Sequence, residues 1–234
     1  MEKLQQALNY LQQDALLHID MLEAIRRDKM DILGASPKGV LLYHTASEVY
    51  MMSAQEQETA HRMLALIKSA ELFVAHQPFY IPLAEKMLGL KASLACVQAA
   101  YLKKEPVAMQ YEGVHIERLD ERHLKFVQDW YSHKLDDGYL LERLNAGILY
   151  GAYVAGELAG FIGEHAEGSI GMLEILPQFR RRGLGEKLEA YKTNAHLAAG
   201  FVPFGQIVVG NTPSLELQKK LGYTISENTI AWLK

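Results

Sequence analysis

The chain has 234 residues, 49% of them apolar and 22% charged, enough hydrophobic surface for one large or two small folded domains; disorder and fibrous repeats are excluded. Lys plus Arg number 24 and Asp plus Glu 28, a net charge of −4 and the wrong sign for a general nucleic-acid or anionic-membrane binder, so any anion site is a local exception. The single cysteine, Cys96, excludes an intramolecular disulfide, the nine histidines show no paired helical spacing, and neither a secretory leader nor an apolar run of about 18 residues occurs, so a cytoplasmic protein without a metal is expected.

Leu4, Leu8, Leu11 and Ala15 recur at helical spacing, and Leu22 with Ile25 continues the stripe after a break near His18 to Asp20, so the chain opens with helices. Val40–His44 and Glu48–Met52 are β-favouring runs joined by a short polar connection, which predicts a hairpin. Ser53 and Glu56 have capping-box spacing, predicting a helix to about Ser69. A strand over 72–75, a short helix over 83–88 and a long strand over 92–102 follow, and Lys103-Lys104-Glu105-Pro106 reads as a boundary. Beyond it come a strand over 113–118, helices over 120–131 and 139–145, and an antiparallel meander over 148–154, 158–163 and 170–176 with glycine-containing turns. Leu184, Leu188, Tyr191, Ala195 and Ala198 share one face of a helix that Gly200 can end; a buried strand over 207–209, a helix over 214–221 and a strand or hairpin over 223–233 complete an α/β order.

Two short stretches recur. Gly39–Tyr43 resembles Gly147–Tyr150, and Lys86–Leu90 resembles Lys219–Tyr223, at unequal offsets, as if residues 1–111 and 112–234 were paralogous halves of which only the second kept its most distinctive segment. That segment is Leu173 to Gly185, a strand that runs through Pro177-Gln178-Phe179-Arg180-Arg181-Arg182-Gly183 into a helix. First-turn amides have no intrahelical acceptor, glycines let an anion approach the backbone, and four cations against Glu186 between Gln178 and Lys187 give a local +3, so phosphate is the natural ligand. An arginine run beside a helix start is the structural alternative for the tripeptide alone.

With the preceding strand, the Arg180-x-x-Gly183-x-Gly185 spacing, and Asn211-x-x-Ser214 followed by Leu221-Gly222-Tyr223, the stretch 113–234 resembles the GNAT superfamily of acyl-CoA N-acyltransferases, most closely its glycine N-acyltransferase-like branch. The resemblance implies a mixed, mostly antiparallel twisted sheet flanked by helices, with acetyl-CoA or another acyl-CoA as co-substrate. It places Arg180, Arg181, Arg182, Gly183, Leu184 and Gly185 on the CoA pyrophosphate. Leu173, Glu174 and Ile175 then lie along the pantetheine arm and thioester, with Asn211 and Ser214 on the arm after a strand that splays away. The implied reaction moves an acyl group to a primary amine of a small molecule or peptide.

The implied acid and base are missing: Gln218 stands where many members carry a tyrosine, seven residues after Asn211, and Gln206 where some carry a glutamate, five before it. Glu174 is the carboxylate nearest the implied thioester, with a structural carboxylate as the competing reading, and His165 is the second catalytic candidate against an ordinary turn histidine. Tyr223 reads first as core. In the connection Tyr131 to Tyr139, Asp136, Asp137 and Tyr139 are candidate acceptor contacts, helix capping being the alternative. Residues 1–111 carry Ser53-Ala54-Gln55-Glu56-Gln57-Glu58 where the phosphate loop would fall, with two carboxylates and no glycine, so a non-catalytic half is expected. The alternative to an enzyme is a CoA-binding sensor or assembly module that has lost turnover. Nucleic acid and membrane are not expected partners.

Overall fold

A computed structural model describes residues 2–45, 47–133 and 135–234. In chain order the elements are α1 (Glu2–Leu11), α2 (Ile19–Arg26), β1 (Met30–Ser36), β2 (Gly39–His44), β3 (Val49–Ala54), α3 (Gln57–Leu64), β4 (Leu72–Ala75), α4 (Ile81–Leu88), β5 (Ala92–Ala100), β6 (His115–Arg118), α5 (Leu124–Trp130), α6 (Asp137–Asn145), β7 (Tyr150–Val154), β8 (Glu157–Glu164), β9 (Ile170–Ile175), α7 (Leu184–Ala198), β10 (Phe204–Val208), α8 (Thr212–Leu221) and β11 (Thr224–Leu233). They make two compact units. One gathers residues 1–100, 206–215 and 224–234, the other residues 101–205 and 216–223. Both are mixed α/β, mostly antiparallel sheets flanked by helices.

The first unit is built on a seven-stranded sheet of order β1-β2-β3-β4-β11-β5-β10. The C-terminal strand β11 is antiparallel to both β4 and β5, so the end of the chain fills the middle of a sheet begun by its first hundred residues. Strand alternation divides the side chains between two cores. Leu41, Met52, Phe73 and Leu233 join Met63 and Leu64 of α3, while Val40, Leu42, Met51, Val74 and Ile230 join Ala7 and Leu11 of α1. β10 is an edge strand, and Val209 just beyond it is 58% exposed, where the sequence predicted a buried strand.

β3 and β4 run parallel and hydrogen-bonded from Val49 opposite Leu72 to Met52 opposite Ala75, and the His76 N–H continues the ladder to the Met52 carbonyl at 3.1 Å. At their ends sits a buried polar network. Ser53 is not a helix cap; it is the second-last residue of β3, and α3 starts after Glu56, because Ser53 Oγ is taken up by Tyr10 Oη (2.9 Å), His18 Nε2 (2.8 Å) and Gln77 Nε2 (2.7 Å). His18 Nδ1–H donates to the Leu11 carbonyl (3.0 Å), which leaves Nε2 to accept from the serine. Burial first, and then the neighbouring His76, lower the His18 pKa to about 4. His76 faces acceptors at both ring nitrogens, the Met52 carbonyl at 3.0 Å and the fully buried Asp20 carboxylate at 2.9 Å.

The second unit has a four-stranded antiparallel sheet, β6-β7-β8-β9, with β9 at its edge. Val127 of α5 and Leu140 and Leu144 of α6 pack with Leu149, Phe161 and Met172 on one face; Leu188 of α7 packs with Ala152, Ile162 and Ile170 on the other. The buried face of α7 is Leu184, Leu188, Glu189, Lys192, Thr193 and His196, whereas Ala195 and Ala198 of the expected stripe are exposed. The buried polar groups answer one another, which periodicity of apolar residues cannot reveal. Lys192 and His196 both meet Glu164, and Gln218 Nε2 donates to Glu189 at 2.8 Å.

His18 is neutral in the fold down to pH about 4, whereas an unfolded histidine takes up its proton near 6.5, so the unfolded state binds the extra proton between these values. Stability from this residue is therefore complete above pH 6.5 and falls by about 3 kcal/mol on going to pH 4. Denaturant titrations at pH 7.5 and 4.5 should show a larger loss for the wild type than for His18→Gln; equal losses contradict the assignment.

Candidate functional site

β9 carries an irregularity in its middle. Phe161 pairs with Glu174 and Gly163 with Gly171, so Met172 and Leu173 together oppose the single residue Ile162, a β-bulge, and Met172 sits at φ +53. A left-handed non-glycine residue costs energy and is held only by the structure around it, here by the Met172 side chain in the core with Phe161 and Leu149. As alternation predicts, Leu173 and Ile175 lie on the α7 face with Ile162 and Leu188, and Glu174 lies on the other face opposite Phe161.

Past Pro177–Phe179 the chain turns through Arg181 (φ +62) and Gly183 (φ +74) into α7. No side chain caps this helix. Among the described residues, the amides of Arg181, Arg182, Gly183, Leu184, Gly185 and Glu186 meet no protein acceptor; the first closed turn is Lys187 N–H to the Gly183 carbonyl, 3.1 Å. Six consecutive donors at a helix N-terminus are thus left without protein acceptors, where the helix dipole favours negative charge. The space is kept open by glycine. A Cβ at residue 183 would meet nothing within 4 Å, and one at 185 would project over Leu173, Ile175 and Leu217 at 3.9–4.0 Å. A cleft of about 210 Å3 lies here, lined by Ile175, Phe179, Arg180 and residues of the α7 start.

The three arginines divide their work. Arg180 turns back, its Nε donating to the Ile175 carbonyl (2.9 Å) and its Nη2 to Glu174 Oε1 (3.2 Å), so it fixes the loop to β9. Arg181 and Arg182 are exposed and have no carboxylate partner among the described residues; Arg182 rests 5.4 Å above the Phe179 ring. The cradle's one carboxylate, Glu186, is engaged by Lys220 at 2.6 Å. A diphosphate therefore fits these residues: unpaired donors, glycine-opened space and uncommitted guanidinium groups.

On the α5–α6 face of β9 the structure joins two residues that the sequence offered separately. Tyr139 Oη and His165 Nδ1 are 3.1 Å apart, and the Ala166 N–H donates to Tyr139 Oη at 3.1 Å. Burial, reinforced by Glu167, holds the Tyr139 hydroxyl well above its ordinary range, and burial with Glu174 and Glu167 pushes Tyr131 up to about 12. Tyr131, Glu167 and Gly171 were not singled out from sequence; Glu167 hides in a turn whose burial no local pattern announces, and its carboxylate accepts from Ser169 Oγ at 2.7 Å. Glu174 is committed to Arg180. Asp136 caps α6, accepting from Gly138 N–H (2.8 Å) and Tyr139 N–H (3.3 Å), while Asp137 is exposed; Lys134 in the same connection lies outside the described residues.

The remaining candidates have local partners. Asn211 Oδ1 accepts the Ser214 N–H (3.2 Å) and so caps α8. Gln218 is buried against Glu189, whose pKa burial raises to about 7. Gln206 donates to Asp20 (3.3 Å) and accepts from Trp232 Nε1 (2.7 Å). Tyr223 is core, its hydroxyl 2.6 Å from Thr193 Oγ1. Among the described residues no group of three or more His, Cys, Asp or Glu is placed to hold a metal ion, and no helix is long and apolar enough to cross a membrane.

Residues 145–233 match the FR47-like protein family. Comparison with curated protein sequences gives no match. Solved structures share the fold across nearly the whole chain. A Drosophila protein superposes with a TM-score of 0.66 at 18% identity, covering 94% of this chain and 88% of its own. A GCN5-related N-acetyltransferase-like protein from Streptococcus suis gives 0.57 at 16%, covering 96% and 98%. A tandem GNAT protein from the clavulanic acid biosynthesis pathway gives 0.50 at 12%, covering 92% and 86%. The fold is that of the GNAT acetyltransferases.

The two glycines of the loop are predicted to behave oppositely. Gly183→Ala forces a side chain into the left-handed region and should lower stability by about 1 kcal/mol. Gly185→Ala meets only ordinary contacts inside a helix and should leave stability unchanged or raise it by up to about 1 kcal/mol. Urea midpoints of the two variants check the sign of each.

Proposed function

We propose that the protein transfers an acetyl or other short acyl group from acyl-CoA to a primary amine of a small molecule or peptide, and that the amides of residues 181–186 hold the CoA pyrophosphate. The observation that carries this reading is that row of donors without protein acceptors at the start of α7. The match of residues 145–233 to the FR47-like family and the GNAT fold support it. In this reading residues 112–234 supply the acyl-CoA-binding half, within the glycine N-acyltransferase-like branch. Residues 1–111 are a GNAT-like copy without a site: β3 and β4 are zipped together, leaving no strand edge for a pantetheine arm, and Glu56 stands before α3 with its carboxylate on Lys38.

The chain's own groups suit the step. β9 is an open edge, and its bulge at Met172–Leu173 takes backbone groups out of the regular ladder, so they are available to the pantetheine arm and the thioester oxygen. The neutral amine nitrogen bonds to the thioester carbon, the C–S bond breaks, and CoA leaves as a thiolate, whose modest basicity spares the enzyme a strong general acid. The ammonium proton passes to solvent water, since Glu174 is held by Arg180. Asp137 is the acceptor-side contact.

A second reading, a CoA-binding sensor or assembly module without turnover, is favoured by one observation: Gln206 and Gln218 stand where members carry a base and an acid, and both are tied to neighbouring side chains. Acetyl-CoA at a hundred times its Kd should stabilise the wild type by about 2.7 kcal/mol, a rise in melting temperature of several degrees. Gly185→Asp, which puts a carboxylate into the cradle, should abolish the rise; a response equal in both proteins refutes the assigned loop, and no response in the wild type refutes CoA binding. Thiol release across a panel of amines then separates the readings: release with any amine supports the transferase, binding without release the sensor.

A further inference from the structure

The Ala166 N–H donates to Tyr139 Oη at 3.1 Å, so the phenol oxygen already serves as an acceptor. Its own proton needs an acceptor in turn, and among the described residues His165 Nδ1, 3.1 Å away, is the one in place. With the proton on Nδ1 instead, Tyr139 would receive two donors and leave its hydroxyl proton unpaired inside the protein, disfavouring that tautomer by about tenfold. Burial keeps the phenol protonated, so it remains a donor at neutral pH. The ring also has a built seat: a Cβ at Gly171 would lie 2.9 Å from His165 Cδ2 and Nε2, so the imidazole lies against the bare backbone of β9, one residue before the Met172–Leu173 bulge.

We propose that Tyr139 is a positioning residue that holds His165 with its ring proton on Nε2, making His165 a hydrogen-bond donor beside the β9 bulge and not the base that takes the amine's proton. The role of that donor rests on the acyl-transfer reading; the tautomer rests on the Ala166–Tyr139–His165 chain and the Gly171 seat alone. A neutral imidazole presenting Nε2–H suits an oxygen, either the thioester carbonyl as it gains charge or an oxygen of the acceptor. The Tyr139 hydroxyl in turn feels the charges of Glu167 and of Arg143, whose guanidinium lies 5.6 Å from the Tyr139 ring centre.

The test is a long-range proton–nitrogen NMR spectrum of the full chain with labelled histidines at pH 7.5, with the His165 signals assigned through His165→Gln. The expected result is an unprotonated Nδ1 and a protonated Nε2. Tyr139→Phe should move both signals toward those of a tautomer mixture, and Gly171→Ala, which displaces the ring without touching Tyr139, should shift them as well. Nδ1–H in the wild type, or Tyr139→Phe signals identical to wild type, overturns the proposal. Once an amine acceptor is found, Tyr139→Phe should lower kcat about tenfold with KM for acetyl-CoA unchanged; an unchanged kcat removes the positioning role. A protein with the expected tautomer but no melting response to acetyl-CoA refutes the acyl-transfer reading and leaves the tautomer standing, whereas transfer by a protein with Nδ1–H does the reverse.

Discussion

A helix must begin somewhere, and its first turn always presents backbone donors that the helix itself cannot use. Most proteins answer them with a serine, threonine or aspartate side chain. α7 begins instead after Gly183 in a left-handed conformation, with no capping side chain, and the turn before it adds further amides without acceptors. Leaving six donors open is unfavourable unless water or an anion meets them, so the surrounding residues make sense as accommodations of that one choice. Gly183 and Gly185 keep the approach clear, Arg180 ties the loop to β9, and Lys220 draws the cradle's only carboxylate aside.

The first unit makes the same point by contrast. There β3 and β4 pair in parallel, and the space at the strand ends is filled by Tyr10, His18, Ser53, His76 and Asp20. A network of buried polar groups is tolerated because each member finds a partner, and removing one would strand the others. The two units treat polar groups in opposite ways: the first satisfies them internally, while the second leaves the amides at the start of α7 without protein acceptors.

Glu174, His165 and Tyr139 show how tertiary contacts reassign residues of catalytic type. From sequence, Glu174 is the first candidate base and His165 the second. In three dimensions the carboxylate becomes an anchor for Arg180, and the histidine is oriented by a tyrosine 26 residues earlier in the chain. Arg180 is six residues from Glu174 but Tyr139 is 26 from His165, and hydrogen-bond direction depends on what else each atom touches.

The sequence alone determined the strand, turn and helix from Leu173 to Gly185, because the signals are local: glycine spacing, clustered charge and a strand running into a helix act within a dozen residues. It also placed the meander of β7, β8 and β9 and the ends of most helices, for the same reason. Only the tertiary structure decided that Ser53 joins a buried network and caps nothing, that Lys192, Glu189 and His196 face inward on α7, and that β11 lies between β4 and β5. Those outcomes turn on pairing between residues far apart in the chain, where burial of a polar group is decided by whether a distant partner arrives to meet it.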